Sequence, residues 1–154
     1  MLKNIIFDWS GTLANDQQYT FQITNETIAH FGAKPISFDD YVKNFKLPVD
    51  KFYSRYLPKT SINDIDAYFF NLYKNKIEQV SLNTKTELLL AFATNFDINL
   101  YICSTLDQEI IETAVNKLGI KKYFKKIYGN CFNKTKSLPL IIKENQFIKE
   151  ETIY

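Results

Sequence analysis

Residues 6–13 read IFDWSGTL, and this stretch decides the fold. A short apolar strand, predicted over residues 4–8, carries Asp8 into a turn made of serine, glycine and threonine. The strand does not alternate apolar and polar residues, which is typical of a strand buried on both faces of a parallel sheet. Open α/β sheets bind ligands at the carboxyl ends of their strands, and Gly11 lets the backbone approach a bound anion closely. The stretch therefore predicts a functional site at Asp8.

Outward from this stretch, apolar strands alternate with amphipathic helices. Further strands are predicted at 98–103, 126–128 and 151–154, and helices at 84–94, 106–118 and 137–145. This alternation predicts an α/β fold with a Rossmann-like, doubly wound parallel sheet. The region 15–80 interrupts the alternation, because it shows only helical patterns, with the longest helices predicted at 17–31 and 62–80. We therefore expect a core formed by residues 1–14 and 81–154, with residues 15–80 inserted as a helical cap subdomain.

The composition excludes several classes of protein. A chain of 154 residues with 45% hydrophobic content can bury a core of its own. Its net charge of +2 gives no electrostatic case for binding nucleic acid or a membrane surface. Its apolar runs fall far short of the about 20 residues that span a bilayer. The single histidine argues against histidine triads and most zinc sites.

The number of cysteines and the amino-terminal residues indicate the cellular compartment of the protein. The chain has two cysteines and no signal-like cleavage site after its first residues, which predicts a cytoplasmic protein. Cys103 lies in the predicted strand at 98–103, just before Ser104. This position favours an inert buried thiol over a nucleophile.

Asp8 and Ser104 follow two different predicted strands. If these strands are parallel, both residues lie at the same edge of the sheet and face one pocket. The IFDWSGTL stretch resembles the first motif of the haloacid dehalogenase (HAD) superfamily, Asp-x-Asp-Gly-Thr, in which the first aspartate attacks a phosphoryl group. The resemblance extends to FGAKPIS at 31–37 and KLGIKKYF at 117–124, and so covers nearly the whole chain.

The resemblance implies a role for each site residue. Asp8 is then the nucleophile, and Ser104 is the second-motif hydroxyl that hydrogen-bonds the transferring phosphoryl oxygens. The third motif is a lysine ahead of a helix, which neutralises the charge of the phosphate and the nucleophile. Lys134 matches it better by its distance to the strand at 151–154, and Lys136 is a rival. The expected substrate-binding residues are Gly11, Thr12, Thr105 and Lys136.

The chain departs from the family pattern at Ser10, where most phosphatases of the family have a second aspartate. That aspartate protonates the leaving oxygen and later activates water, and a serine hydroxyl is too weak an acid to do either well near neutral pH. Asp16 is a nearby candidate substitute acid, although an aspartate at a helix start is more often a cap. Family members that cleave carbon–phosphorus or carbon–halogen bonds also lack an aspartate at this position.

The family also implies a Mg²⁺ site that this chain matches only in part. The ion takes oxygens from the nucleophile, here Asp8, from the backbone carbonyl two residues on, here Ser10, and from an aspartate of a fourth motif. Val-Gly-Asp of that motif would follow Tyr154, where this sequence stops. Loss of one anionic ligand is expected to weaken Mg²⁺ binding. We also expect an uncovered sheet edge there, which invites self-association.

Together, these features predict a HAD-like hydrolase. The expected reaction is Mg²⁺-dependent hydrolysis of a small phosphorylated metabolite through an aspartyl-phosphate on Asp8, weak or absent in this 154-residue form. One alternative is a non-catalytic binding or interaction protein with the same fold, which Ser10 and the missing fourth motif favour. Another is hydrolysis of a carbon–phosphorus or carbon–halogen bond with the same nucleophile.

Overall fold

The computed structural model describes all residues from Met1 to Tyr154. They form two compact units, one made of Met1–Asn15 and Val80–Tyr154 and the other of Asp16–Gln79. No helix has the length and apolar character needed to cross a membrane. The strands are β1 (Asn4–Phe7), β2 (Ala14–Asn15), β3 (Ser81–Leu82), β4 (Asn99–Cys103), β5 (Phe124–Tyr128) and β6 (Thr152–Ile153). The helices are α1 (Gln17–His30), α2 (Phe38–Asn44), α3 (Val49–Tyr53), α4 (Ile62–Asn75), α5 (Thr86–Asn95), α6 (Gln108–Lys117) and α7 (Lys134–Glu144).

A four-stranded sheet is the centre of the first unit. Its order is β5-β4-β1-β6, and all neighbouring strands are parallel, so the predicted α/β fold with a parallel sheet is confirmed. Phe7 of β1 lies opposite Ile102 of β4. Because Asp8 and Ser104 follow these two strands, parallel pairing brings both residues to the same edge of the sheet. β6 lies beside β1 and is one of the two outermost strands of the sheet.

A second, two-stranded sheet was not predicted. β2 pairs with β3 in antiparallel orientation, with Ala14 opposite Leu82. The side-chain amide of Asn83 extends this link by donating to the carbonyls of Thr12, at 2.8 Å, and Ala14, at 3.2 Å. Strands of two residues are too short to show a period in the sequence, which is why the pattern missed them. The pair ties together the two chain segments that flank the helical unit.

The second unit, Asp16–Gln79, consists of helices, in agreement with the helical patterns of this region. Ser37 and Ser61 cap α2 and α4, each accepting a backbone N–H of the first turn on its side chain. The core of this unit is rich in aromatic and aliphatic side chains, among them Ile28, Tyr41, Phe52, Tyr53, Leu57 and Ile65. The unit therefore has an apolar core of its own.

Two helix boundaries differ from the predicted ones by three residues or more. The helix predicted to run to residue 80 ends at Asn75, and a 3-10 turn follows over Ile77–Gln79, although the apolar spacing continues. The helix predicted from residue 137 begins at Lys134, because the side chain of Asn133 accepts the backbone N–H of Lys136 and caps an earlier start. This earlier start makes Lys134 the first residue of α7.

Candidate active site

Asp8 lies immediately after β1, on a turn that the backbone holds tightly. Its Oδ1 accepts a hydrogen bond of 2.7 Å from the backbone amide of Trp9, whose side chain is fully buried. The carbonyl of Trp9 in turn accepts three successive amides at 3.0–3.1 Å, those of Thr12, Leu13 and Ala14. This arrangement fixes the backbone that carries the Asp8 carboxylate.

The rest of the turn is formed by Ser10, Gly11 and Thr12, all of which are exposed. The amide of Gly11 donates to the carbonyl of Ala14 at 3.0 Å. Gly11 has a φ of +72°, a left-handed conformation that glycine adopts without steric cost. Ser10, two residues after Asp8, is therefore part of an exposed turn.

Lys134 connects Asp8 to the end of the neighbouring strand. Its Nζ lies 2.8 Å from Asp8 Oδ1 and also donates to the backbone carbonyl of Cys103. The Lys134 side chain is only 10% exposed, whereas that of Asp8 is 40% exposed. Burial acts to lower the pKa of Lys134, but its hydrogen bonds to Asp8 and Tyr154 and the charge of Asp8 outweigh this and raise the pKa. Lys134 therefore carries a positive charge at neutral pH.

The two lysines that the sequence left open differ in their surroundings. Lys136 lies in the same helical turn, but its side chain is exposed. Its backbone amide donates to Asn133, the cap of α7. The structure thus brings Lys134, and not Lys136, into contact with Asp8.

Ser104 lies at the same sheet edge as Asp8 and is 2% exposed. Its amide donates to the carbonyl of Tyr128 at 2.8 Å, and its Oγ accepts the amide of Leu106 at 3.1 Å. Thr105 follows in the same turn and is half-buried. Ser104 Oγ thus already accepts a hydrogen bond within the turn after β4. Its hydroxyl proton can still be donated to another acceptor.

Asp16 has a structural position. Its side chain is 1% exposed and accepts a hydrogen bond of 2.9 Å from the hydroxyl of Tyr73. Although Asp16 precedes α1, its side chain makes no capping hydrogen bond to that helix. A carboxylate buried and bonded in this way anchors α4 to the start of α1, and it is poorly placed to exchange protons with solvent.

The oxygens near Asp8 fit a divalent cation only in part. No group of three or more His, Cys, Asp or Glu side chains in the chain is arranged to hold a metal ion. Asp8 Oδ1 accepts from Trp9 and Lys134, which leaves Oδ2 for other ligands. Mg²⁺ commonly takes one or two carboxylates and completes its shell with waters and substrate phosphate. The single carboxylate of Asp8 therefore matches only an open, weak site.

Sequence reasoning missed three residues around Lys134. Asn133 caps α7 and so places the lysine, and the ring of Tyr154 lies with its centroid 5.3 Å from Lys134 Nζ. Cys131 packs in the same buried cluster as Cys103. Of these, only Asn133 had a detectable signal, since an asparagine directly before the first turn of a helix is a common cap.

Comparison with known proteins identifies the family. The sequence matches the haloacid dehalogenase-like hydrolase family over residues 5–154, and the chain belongs to that family. A search of curated proteins finds no match.

Solved structures of similar fold include two described as predicted phosphatases and a protein named CbbY. A predicted phosphatase from Clostridium acetobutylicum has a TM-score of 0.85 at 14% identity, covering 99% of this chain and 74% of that one. CbbY from Rhodobacter sphaeroides, solved in complex with phosphate, has a TM-score of 0.80 at 19% identity, covering 99% and 76%. A predicted phosphoglycolate phosphatase from Haemophilus somnus has a TM-score of 0.80 at 12% identity, covering 98% and 75%. At these identities the likeness shows the fold.

Proposed function

We propose that the chain transfers a phosphoryl group from a small phosphorylated molecule to Asp8 and then hydrolyses the aspartyl-phosphate. The observation that carries this proposal is the ion pair of 2.8 Å between Lys134 and Asp8, formed where β1 and β4 end. Neighbours such as CbbY, solved with phosphate and with xylulose bisphosphate, support phosphorylated small molecules as the substrate class.

The nucleophile is Asp8 Oδ2. The hydrogen bonds of Trp9 and Lys134 to Oδ1 fix the plane of the carboxylate, and its 40% exposure leaves room for a substrate to approach. Attack of Oδ2 on phosphorus forms a new P–O bond while the bond to the leaving oxygen breaks. A carboxylate already held in place does not lose rotational freedom on the way to the transition state.

Lys134 provides the positive charge that this attack requires. A phosphate and a carboxylate repel each other, and the ammonium beside Oδ1 offsets that repulsion. Because Lys134 is almost fully buried, its charge acts through a medium of lower dielectric constant than water. The Ser104 hydroxyl is the expected donor to a phosphoryl oxygen, since its Oγ accepts from Leu106 and keeps its proton available.

Asp8 and the Ser10 carbonyl are the residues that would hold Mg²⁺, with waters and phosphate completing the shell. When bound, the ion neutralises charge on the phosphoryl oxygens. In this proposal Asp8 attacks the phosphorus, and Lys134 orients the Asp8 carboxylate and stabilises the negative charge on the phosphoryl oxygens.

Ser10 is expected to affect the two half-reactions, formation and breakdown of the aspartyl-phosphate, to different extents. The first needs little acid catalysis when the leaving group is a good one, but the second needs a base to activate water. An exposed serine does not supply that base, and Asp16 is buried against Tyr73. We therefore expect the aspartyl-phosphate to form faster than it breaks down.

Ser10 also favours the second candidate, a phosphate-binding protein without turnover. Hydrolysis of an aryl phosphate with Mg²⁺, by the wild type and by Asp8→Asn, separates the two. The phosphohydrolase proposal predicts phosphate release that the near-isosteric Asn variant abolishes. Phosphate binding that Lys134→Met weakens, without transfer to Asp8, would instead establish the binding protein. Release that survives in Asp8→Asn would contradict the proposed nucleophile.

A further inference from the structure

Cys103 and Cys131 are distant in sequence and adjacent in the fold. Cys103 is the last residue of β4, and Cys131 lies in the loop between β5 and α7. The amide of Cys131 donates to the carbonyl of Ser104 at 2.9 Å, which holds this loop against the end of β4. Both side chains belong to one buried cluster and lie close enough to shift each other's pKa. The Cys131 thiol also contacts the backbone carbonyls of Gly129, at 3.4 Å, and Tyr128, at 3.7 Å. They are the only cysteines in the chain.

The two thiols have different surroundings. Cys103 is fully buried, and its interaction with Cys131 and its burial raise its pKa. Cys131 is 6% exposed, and its interactions with Cys103 and Ser137, together with the charge of Lys134, outweigh its burial and lower its pKa. The Cys131 sulfur is thus the one that a small oxidant in solvent can reach first, and a second sulfur lies beside it.

We propose that Cys103 and Cys131 form an oxidative modification site, in which a small peroxide converts the pair into an intramolecular disulfide. The Cys131 sulfur attacks a peroxide oxygen, so that an S–O bond forms and the O–O bond breaks, giving a sulfenic acid and water. The Cys103 sulfur then attacks the Cys131 sulfur, the S–S bond forms, and the hydroxyl leaves with the Cys103 proton as water. The two sulfurs lose two electrons in all, and the peroxide takes them up.

This disulfide would join the end of β4 to the loop that precedes Lys134. The Cys103 carbonyl accepts a hydrogen bond from the same ammonium that pairs with Asp8. One of the oxidised sulfurs would therefore belong to the same residue whose carbonyl accepts a hydrogen bond from Lys134. Since Cys131 is only 6% exposed, a bulky alkylating reagent reaches it far more slowly than hydrogen peroxide does.

The test treats the native chain with hydrogen peroxide, unfolds it in the presence of an alkylating reagent, and measures its intact mass. We expect the loss of two hydrogens, no alkylation, a cross-linked peptide pair containing both cysteines, and reversal by dithiothreitol. Cys103→Ser is expected to stop at a sulfenic acid on Cys131, which dimedone traps, and Cys131→Ser to leave Cys103 reduced.

The same oxidation in urea provides a control that needs no variant. If the fold organises the pair, the intramolecular disulfide forms faster in the native chain than in the unfolded one. Equal rates in both states, two alkylated thiols after peroxide treatment, or disulfides that join two chains would overturn the proposal. Cys103→Ala and Cys131→Ala replace the serine variants if those do not fold.

Discussion

Replacing Lys134 with methionine removes the ammonium beside Asp8 and little else. The side chain is 10% exposed, and methionine keeps its length and apolar volume, so the packing around the start of α7 is retained. What disappears is the 2.8 Å contact with Asp8 Oδ1, the hydrogen bond to the Cys103 carbonyl and the contact of the ammonium with Tyr154. The variant therefore isolates the charge that we assign to phosphoryl transfer.

The expected loss of activity is large and the loss of stability small. Removing one preorganised donor from a developing charge costs about 3–4 kcal/mol in the transition state, or about 10²–10³-fold in rate. Asp8 is 40% exposed and hydrates once its partner is gone, so the free energy of unfolding should fall by only about 1 kcal/mol. The assays are the rate at which Asp8 is phosphorylated by a small acyl phosphate and a urea unfolding curve.

Lys136→Met is the matched comparison, because Lys136 lies in the same turn and is exposed. We expect it to change the phosphorylation rate less than about threefold and the free energy of unfolding by less than about 0.5 kcal/mol. If Lys134→Met phosphorylates as fast as the wild type, or if Lys136→Met is the slower variant, the assignment of the site lysine is wrong.

Three further predictions follow from other residues. Ser10→Asp supplies the missing acid and base at an exposed position. It should raise the steady-state release of phosphate from an aryl phosphate about 10²-fold or more. No gain in this rate would refute the proposal that breakdown of the aspartyl-phosphate is the slow step. Burial and the charge of Asp50 raise the pKa of Asp66 to about 6 from 3.8, so the folded state favours its protonated form and loses stability as pH rises through this window. Asp66→Asn should therefore be more stable than the wild type by about 1 kcal/mol at pH 8, after screening, and equal at pH 4 in urea unfolding; a difference independent of pH would contradict this. A Cβ on Gly129 would lie 2.5 Å from the Gln108 Cα, so Gly129→Ala should lower the free energy of unfolding by about 1–3 kcal/mol. An unchanged unfolding midpoint in urea would contradict this, because it would mean that the loop moves aside without cost.

The placement of Asp8 and Ser104 at the same end of the sheet was predictable from the order of the strands in the sequence. The unalternating strand before Asp8 indicated burial on both faces, and parallel pairing with the strand before Ser104 placed the two residues at one sheet edge. The family resemblance added a lysine ahead of a helix. These inferences needed only the order of elements and the residues that follow them.

Other features depend on contacts that leave no pattern in the chain. The side chain of Asn133 moves the start of α7 to Lys134, and a single capping residue is a weaker signal than the apolar spacing that suggested residue 137. The contact between Cys103 and Cys131 arises because one strand end and one loop meet through the sheet. No spacing pattern in the sequence predicts a contact between two residues so far apart in the chain.

The most direct test of the account is to incubate the chain with acetyl phosphate and Mg²⁺ and map the product by mass spectrometry. The account predicts one phosphoryl group, attached to Asp8, sensitive to hydroxylamine, absent in Asp8→Asn, and shorter-lived in Ser10→Asp. A folded wild-type chain that acquires no phosphoryl group, or acquires it on another residue, would contradict the assignment of Asp8 as the nucleophile.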